Sequence, residues 1–471
     1  MRRLTTDRRR VLQLITATGI AGSLASVAGC LSPKTATTDW AEAQRIRGAI
    51  RPPRIPSKDF DLRTFGAKAN HDASAAMQDA ITACRQAGGG RIVVDGGRYP
   101  CGPIHLGSHM ELHIARNATL AFIPEPERYL PPVLTHWEGL EFMGYSPLIY
   151  AFGETDIAIT GEGTLDGGAD ASHWWHWKGG EYSIGKPHED QKFARTKLMA
   201  DAENEVPVGK RVYADGAYLR PPFIQTFRCA NVLIEDVTIQ HAPFWLINPV
   251  LCRDVIVRGV TCESLGPNSD GCNPESCFNV LIEKCRFNTG DDCIAIKSGR
   301  NADGRRIATP CENIVITDCD MQAGHGGVVI GSEISGGVRN IFAENCRMSS
   351  PDLERAIRIK TNSVRGGVIE HLRYRNITVG DVRDAIVINY FYEEGDAGQF
   401  DPLVRDVLIE NLNIANARKV FEIRGFDRDP IQDLTLRNVN VAFAGAVGVV
   451  EHVARFTTHN VTINGRNYSA N

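Results

Sequence analysis

The chain lacks a dominant charge. Its 52 Lys and Arg stand against 56 Asp and Glu, a formal net charge of −4 over 471 residues. The first 29 residues hold five of the arginines (2, 3, 8, 9 and 10) and one aspartate (7), so the remainder carries 47 basic and 55 acidic side chains, or −8. A mildly acidic body has no electrostatic attraction to a phosphate backbone, which excludes nucleic acid as the expected partner. No apolar run is long enough for a stable membrane span: the one candidate, Leu14 to Ala28, is short and rich in Ala and Gly. The leucine spacing and helical segments of leucine-rich repeats are missing, and the repeat units are too short for four-stranded propeller blades.

The N-terminus is organised as an address. Arg8-Arg9-Arg10-Val11-Leu12 resembles a twin-arginine export signal, and the apolar stretch behind it ends in Val27-Ala28-Gly29-Cys30, which resembles a bacterial lipobox. In that reading residues 1–29 are a cleaved signal and Cys30 becomes the lipidated first mature residue. A plain cleaved signal or an arginine-rich tail is the alternative. Leu31 stands where an inner-membrane retention aspartate would be, so a periplasmic or outer-membrane lipoprotein is expected. Residues 30–57, Thr- and Pro-rich at both ends, are expected to form a tether from the lipid.

Twin-arginine export carries folded proteins, so the other twelve cysteines are expected to be buried thiols, with disulfides the alternative. Cys285, Cys319 and Cys346 occupy one position in three successive repeats, where a small apolar side chain stacks in a core.

The repeat reads Asn/Asp, aliphatic, x, aliphatic, x, polar, apolar, x, apolar. It is clearest at Asn231 to Ile239 and Asn313 to Met321, with copies beginning at Asp156, Asp254, Asn279, Asn340, His371, Asp406, Asp433 and Asn460. Alternating apolar residues make strands with one buried face, and units that cannot bury that face alone must stack. The fold class predicted is all-β: a single right-handed parallel β-helix of about ten coils, spanning 58–471, the hand following from parallel connections. Met77, Ala80, Ile81 and Cys84 at helical spacing, followed by Gly88-Gly89-Gly90, predict a capping helix over 74–84. Residues 168–222, containing Trp174, Trp175 and Trp177, interrupt the repeat and are expected to be loop material projecting from the solenoid.

Four motifs fall about one coil apart: Asn268-Ser269-Asp270, Gly290-Asp291-Asp292, Gly324-His325-Gly326 and Arg358-Ile359-Lys360. Aligning Ile294/Ile296, Val328/Ile330 and Ile357/Ile359 as inward pairs points Arg358, Lys360 and Lys297 outward. The same alignment sets Asp292 under Gly326 and Asp291 under His325, with Asp270 one coil earlier. Coils are about 4.8 Å apart, so these groups share one exterior patch. Any one motif is explained by turn chemistry. Three crowded carboxylates repel one another and raise at least one pKa, which a proton donor requires. Glycoside hydrolysis needs one protonated carboxyl and one ionised carboxylate, and two fixed cations suit an acidic polysaccharide.

In order and spacing these motifs resemble glycoside hydrolase family 28, the polygalacturonases and related pectinases. The likeness runs from Phe65-Gly66-Ala67 through Gly161 to Gly167 and on to Tyr392. It implies an inverting hydrolase of α-1,4-galacturonosyl linkages, with Asp291 the general acid and Asp270 and Asp292 holding and deprotonating water. His325 would tune Asp291 or bind sugar. Arg358, Lys360 and Tyr392 would bind the galacturonate, Arg358 being suited to bidentate pairing. Tyr390 competes with Tyr392 for that role, Asn268 is expected to fix the turn presenting Asp270, and Lys297 is a further substrate-binding candidate. No cofactor and no metal are implied, and a monomer is expected.

The insertion could wall off one end of the cleft, its tryptophans stacking on sugars or anchoring the loop itself, and exo action is favoured over endo. The segment Gly299 to Arg306 adds a basic loop near Lys297. Rhamnogalacturonan or xylogalacturonan hydrolysis is the alternative within the family. A pectate lyase or a non-catalytic polysaccharide-binding lipoprotein is the rival outside it.

Overall fold

The structure is a computed structural model that describes residues 36–186 and 188–470. The export signal, Cys30 and the start of the tether lie outside the described residues. Among the described residues no helix is long and apolar enough to cross a membrane.

The repeat works through its first residue. Asp156, Asn231, Asp254, Asn279, Asn313, Asn340, His371, Asp406, Asp433 and Asn460 all have φ between +52° and +61°. Asn and Asp tolerate this left-handed conformation because their short side chains bond locally. Each such residue bends the chain from one strand into the next, and the side chains link coil to coil: Asn279 donates to Asp254, Asn313 to Asn279 and Asn340 to Asn313, at 3.0, 3.1 and 3.0 Å.

The strands stack in parallel register into a right-handed β-helix. One inward ladder runs Phe60, Ile92, Leu112, Ile159, Ile234, Val257, Ile282, Ile316, Ala343, Tyr374, Ile409, Leu436 and Thr458. The solenoid is therefore longer than the ten expected coils. Its first rungs, Asp59–Asp61, Gly90–Val94 and Met110–Ile114, have Ser57, Gly89 and His109 at the corner position in place of Asn or Asp, so the repeat pattern does not mark them. The copy read at Asn460 is out of phase: Asn460 donates to Asn438, the second bend of its neighbour, while Arg455 pairs with Asp433. Each Ile, Val or Leu turned inward contributes about 1.5–3 kcal/mol. The cysteine column behaves as expected: all twelve described cysteines are free and buried, Cys285, Cys319 and Cys346 among them. Helix α2 (Ser74–Gln86) caps the first coil with Ala76, Met77, Ala80, Ile81 and Cys84 buried.

Two expectations are corrected. From Ala36 the tether gives way to helix α1 (Ala36–Ala49). Its Trp40, Ala43 and Ile46, with Ile50, bury against Ala158, Leu233, Ile256, Leu281, Val315 and Phe342 on the outside of the solenoid. Arg373 holds Asp39 at 2.7 Å and the Trp40 indole donates to Glu410 at 3.0 Å. The physical reason is that the middle residue of each strand is apolar here, and a solvent-facing apolar ladder needs a cover.

The insertion does not project. It carries helix α3 (Lys192–Glu203), with Ala194, Leu198 and Ala202 buried, and the strand Val212–Tyr213 paired with Leu140–Gly144. A buried ion pair, Arg211 to Asp303 at 2.7 Å, pins it to helix α4 (Asn301–Ile307), which replaces the expected basic loop. Trp174 and Trp177 pack on each other and on Tyr129, Tyr145 and Tyr218, and Trp175 donates to the Ala242 carbonyl. The tryptophans anchor the insertion to the solenoid and are spent on packing.

Candidate active site

Three short strands position the site. Ile294–Ile296, Val328–Ile330 and Arg355–Lys360 stack with Ile294, Val328 and Ile357 in one column and Ile296, Ile330 and Ile359 in another. Alternation then turns Arg358 outward between its two inward neighbours, in register with Val329 and Ala295. Lys297 and Lys360 follow the last inward residues, and Asp291, Asp292 and His325 precede the first. Gly326 is the spacer, for a Cβ there would lie 2.4 Å from the Val329 side chain and 3.2 Å from an Asp292 carboxylate oxygen. At Gly324, φ is +142° and a Cβ would meet the Asp291 carbonyl at 2.3 Å.

One cavity of about 240 Å³ is lined by Asn268, Asp270, Asp291, Lys297, His325, Arg358, Lys360 and Tyr392. Asp292 lies beneath this lining, fully buried. One oxygen from each of Asp270, Asp291 and Asp292 lies within 4.8 Å of the other two. The aspartates differ in their partners. Asp291 meets His325 Nδ1 at 3.0 Å and accepts a long bond from the Asn268 amide at 3.5 Å. Asp292 accepts from Lys360 Nζ at 2.6 Å and Arg358 at 3.4 Å. Asp270 has Lys297 Nζ 3.8 Å away.

These surroundings separate the carboxylates electrostatically. Burial, reinforced by the charge of Asp291, pushes Asp270 well above the usual carboxylate range. Burial also works to raise Asp291, yet the His325 hydrogen bond and charge, with Lys360 and Lys297, outweigh it and hold this carboxyl low. The same bond raises His325 above its ordinary value. Burial would lower Lys297, but Glu333 and Asp270 overcome it and raise the ammonium.

Asn268, Asp270, Asp291, Lys297, His325, Arg358, Lys360 and Tyr392 line the cavity and Asp292 lies beneath it, whereas Tyr390 and the insertion tryptophans do not reach it. Tyr392 is the tyrosine at the cavity, with Arg358 and Lys360 5.4 and 5.3 Å from its ring centre. Tyr390 is buried and its hydroxyl accepts from the Val404 amide. Asn268, at φ +54°, bends the chain ahead of Asp270 and accepts from Arg220 at 2.8 Å. Lys297 bonds Glu333 at 3.0 Å and sits 4.6 Å from the Trp245 ring centre.

Sequence reasoning missed Trp245, Glu333, Glu138, Lys178 and Arg195, which also line the cavity. Trp245 was findable, since it precedes Leu246, whose amide bonds the Asp270 carbonyl one coil on. Glu138 sits in the turn between the strands Val133–Trp137 and Leu140–Gly144, and accepts from Arg195 at 2.8 Å and Arg300 at 3.4 Å. Its contacts join segments far apart in sequence, and no local pattern announces them.

Comparison with known proteins decides the family. The pattern of Glycosyl hydrolases family 28 matches residues 211–463, more than half of the chain. The chain belongs to glycosyl hydrolases family 28. It is a glycoside hydrolase. A solved structure described as a hyperthermoactive exopolygalacturonase from Thermotoga maritima is 42% identical, covers 91% of this family 28 chain and 97% of its own, and superposes with a TM-score of 0.86. The family 28 exopolygalacturonase of Yersinia enterocolitica, 20% identical with a TM-score of 0.71 over 87% and 75% of the two chains, shares the fold. An endo-polygalacturonase of Pectobacterium parmentieri is 26% identical over 85% of this chain and 94% of that one.

Proposed function

We propose that this enzyme hydrolyses the α-1,4-galacturonosyl linkages of polygalacturonan from a chain end, with inversion at the anomeric carbon. The observation that carries the reading is the trio of aspartate oxygens within 4.8 Å of one another beside Arg358 and Lys360. Asp291 is the one member of the trio that is not buried, so it is the acid that protonates the glycosidic oxygen as the C–O bond breaks. Asp292 takes a proton from the water that attacks the anomeric carbon, and Asp270 holds that water. Arg358, Lys360 and Tyr392 bind a galacturonate ring.

His325 Nδ1 and the Asp291 carboxylate share a hydrogen bond of 3.0 Å, so the two take up and release protons as a unit, and that pair supplies the proton for the glycosidic oxygen. The aspartate oxygens are closer than the roughly 6.5–9.5 Å usual between the two carboxyls of inverting glycosidases. Inversion therefore rests on the family resemblance, and proton NMR of the first product tests it. The β-anomer appearing first supports it, and the α-anomer appearing first overturns it.

The trio could also hold a metal ion. Lys360, Arg358 and Lys297 already stand against these carboxylates, so the negative charge is compensated from within the protein. Full activity in EDTA, with no unsaturated product, separates hydrolysis from calcium-dependent elimination.

Exo action is supported by a wall beyond the C-terminal ends of the three strands, where Glu138 ties Arg195 of α3 to Arg300. It is supported too by the exo-acting description of the Thermotoga relative. Monomer released from polygalacturonate without intermediate fragments supports it; a ladder of oligomers overturns it. The same proposal places the enzyme, as a monomer, on a membrane through a lipid at Cys30 after twin-arginine export. Release of a Cys30→Ser variant from the membrane fraction tests the anchor.

A further inference from the structure

Six cations line the cavity: Lys178, Arg195, Lys297, Arg300, Arg358 and Lys360. Five are committed to protein carboxylates. Arg358 and Lys360 meet Asp292, Lys297 meets Glu333, and Arg195 and Arg300 share Glu138. Lys178 is the exception, for its ammonium makes no hydrogen bond and no ion pair among the described residues. It comes from the 168–222 insertion, at the end of a turn whose Trp177 is locked among Trp174, Tyr145 and Tyr218. The backbone that carries Lys178 is thus fixed while its charge is left over.

An amine half-withdrawn from water without a partner is costly. Burial, joined by the charges of Arg220 and Arg195, lowers the Lys178 pKa against the opposing charges of Glu138 and Asp291. The arrangement gains most from an anion that arrives with the substrate. From this we infer that Lys178 is the receptor for the carboxylate of a second galacturonate ring, next to the one held by Arg358 and Lys360. The inference rests on the polygalacturonan reading above and sharpens it: two adjacent acidic rings are required, which disfavours backbones that alternate uronate with a neutral sugar.

The test uses trigalacturonate and its three positional mono-methyl esters, with wild-type enzyme, Lys178→Met and Lys178→Arg. In the wild type, esterifying the ring held by Lys178 costs about tenfold in kcat/KM, as does esterifying the ring held by Arg358 and Lys360. Lys178→Met should lose about tenfold on trigalacturonate through KM, and the penalty at one ester position alone should vanish. Lys178→Arg should restore most of both. Unchanged penalties at all three positions in Lys178→Met overturn the inference while leaving the hydrolase reading intact. A wild-type enzyme that does not cleave trigalacturonate overturns both.

Discussion

The ladder Leu233, Ile256, Leu281, Val315 and Phe342 and the ladder Ala295, Val329 and Arg358 both point out of the same solenoid, each from positions flanked by core residues. On the first, every outward residue is apolar, and α1 crosses the ladder and removes it from water. On the second, the outward column passes through Arg358, flanked by the aspartates at one strand end and by Lys297 and Lys360 at the other, and these residues are withdrawn from bulk water around a polar cavity rather than under an apolar helix. The inward columns carry the fold on both faces. The outward position is therefore free to be spent on stability in one place and on chemistry in another, and the two faces should respond oppositely to mutation.

The sharpest way to break this comparison is Asp291→Asn. It should lower kcat by roughly 10²–10⁴-fold in reducing-sugar release, the range for loss of a general acid, while the melting temperature holds. A variant that unfolded early and kept its turnover would reverse the roles assigned to the two faces. Trp40→Ala is the counterpart on the covered face. Removing this buried ring should cost about 3–5 kcal/mol in denaturant unfolding, with kcat unchanged in the fraction that remains folded. Arg358→Ala comes next, at about 10- to 100-fold in kcat/KM, the worth of a hydrogen bond to a charged group. Part of that loss should appear in kcat, because Arg358 also meets Asp292.

The smallest effect is a shift of pH profile. His325 faces Asp291, Asp292 and Glu354, and Arg355 donates to its carbonyl. Its folded pKa is raised, so the proton on the His325–Asp291 pair is present below that value and lost as pH climbs through it. In His325→Gln the proton must sit on Asp291 itself, in the carboxylate range. The alkaline limb of kcat/KM should therefore move toward acid by about one pH unit or more. An unmoved limb would show that this proton plays no part.

Much of the site was legible because a solenoid converts sequence spacing into distance. Once Ile294, Val328 and Ile357 are aligned, the neighbours of each residue follow from counting, and Asp291 falls beneath His325 without reference to any tertiary contact. Helix α1 was missed although Trp40, Ala43, Ile46 and Ile50 sit at helical spacing, because the flanking prolines and threonines read as a tether. Its partner surface was equally visible in the apolar middle residue of Val232-Leu233-Ile234 and Val280-Leu281-Ile282, where an exposed strand would carry a polar one. Glu138 had no signal at all. Its role comes from Arg195 and Arg300, 57 and 162 residues away.

The sequence by itself determined the parallel solenoid, its left-handed Asn/Asp corners, the stacking of three aspartates and the outward aim of Arg358 and Lys360. Each of these depends on local period and on a repeat that sets its own neighbours. Only the tertiary structure decided what the non-repeating segments do: that α1 seals one face, that the insertion tryptophans pack inward, and that Lys178 is left with a free charge at the cavity. Those outcomes depend on side chains meeting across gaps in sequence that no periodicity spans.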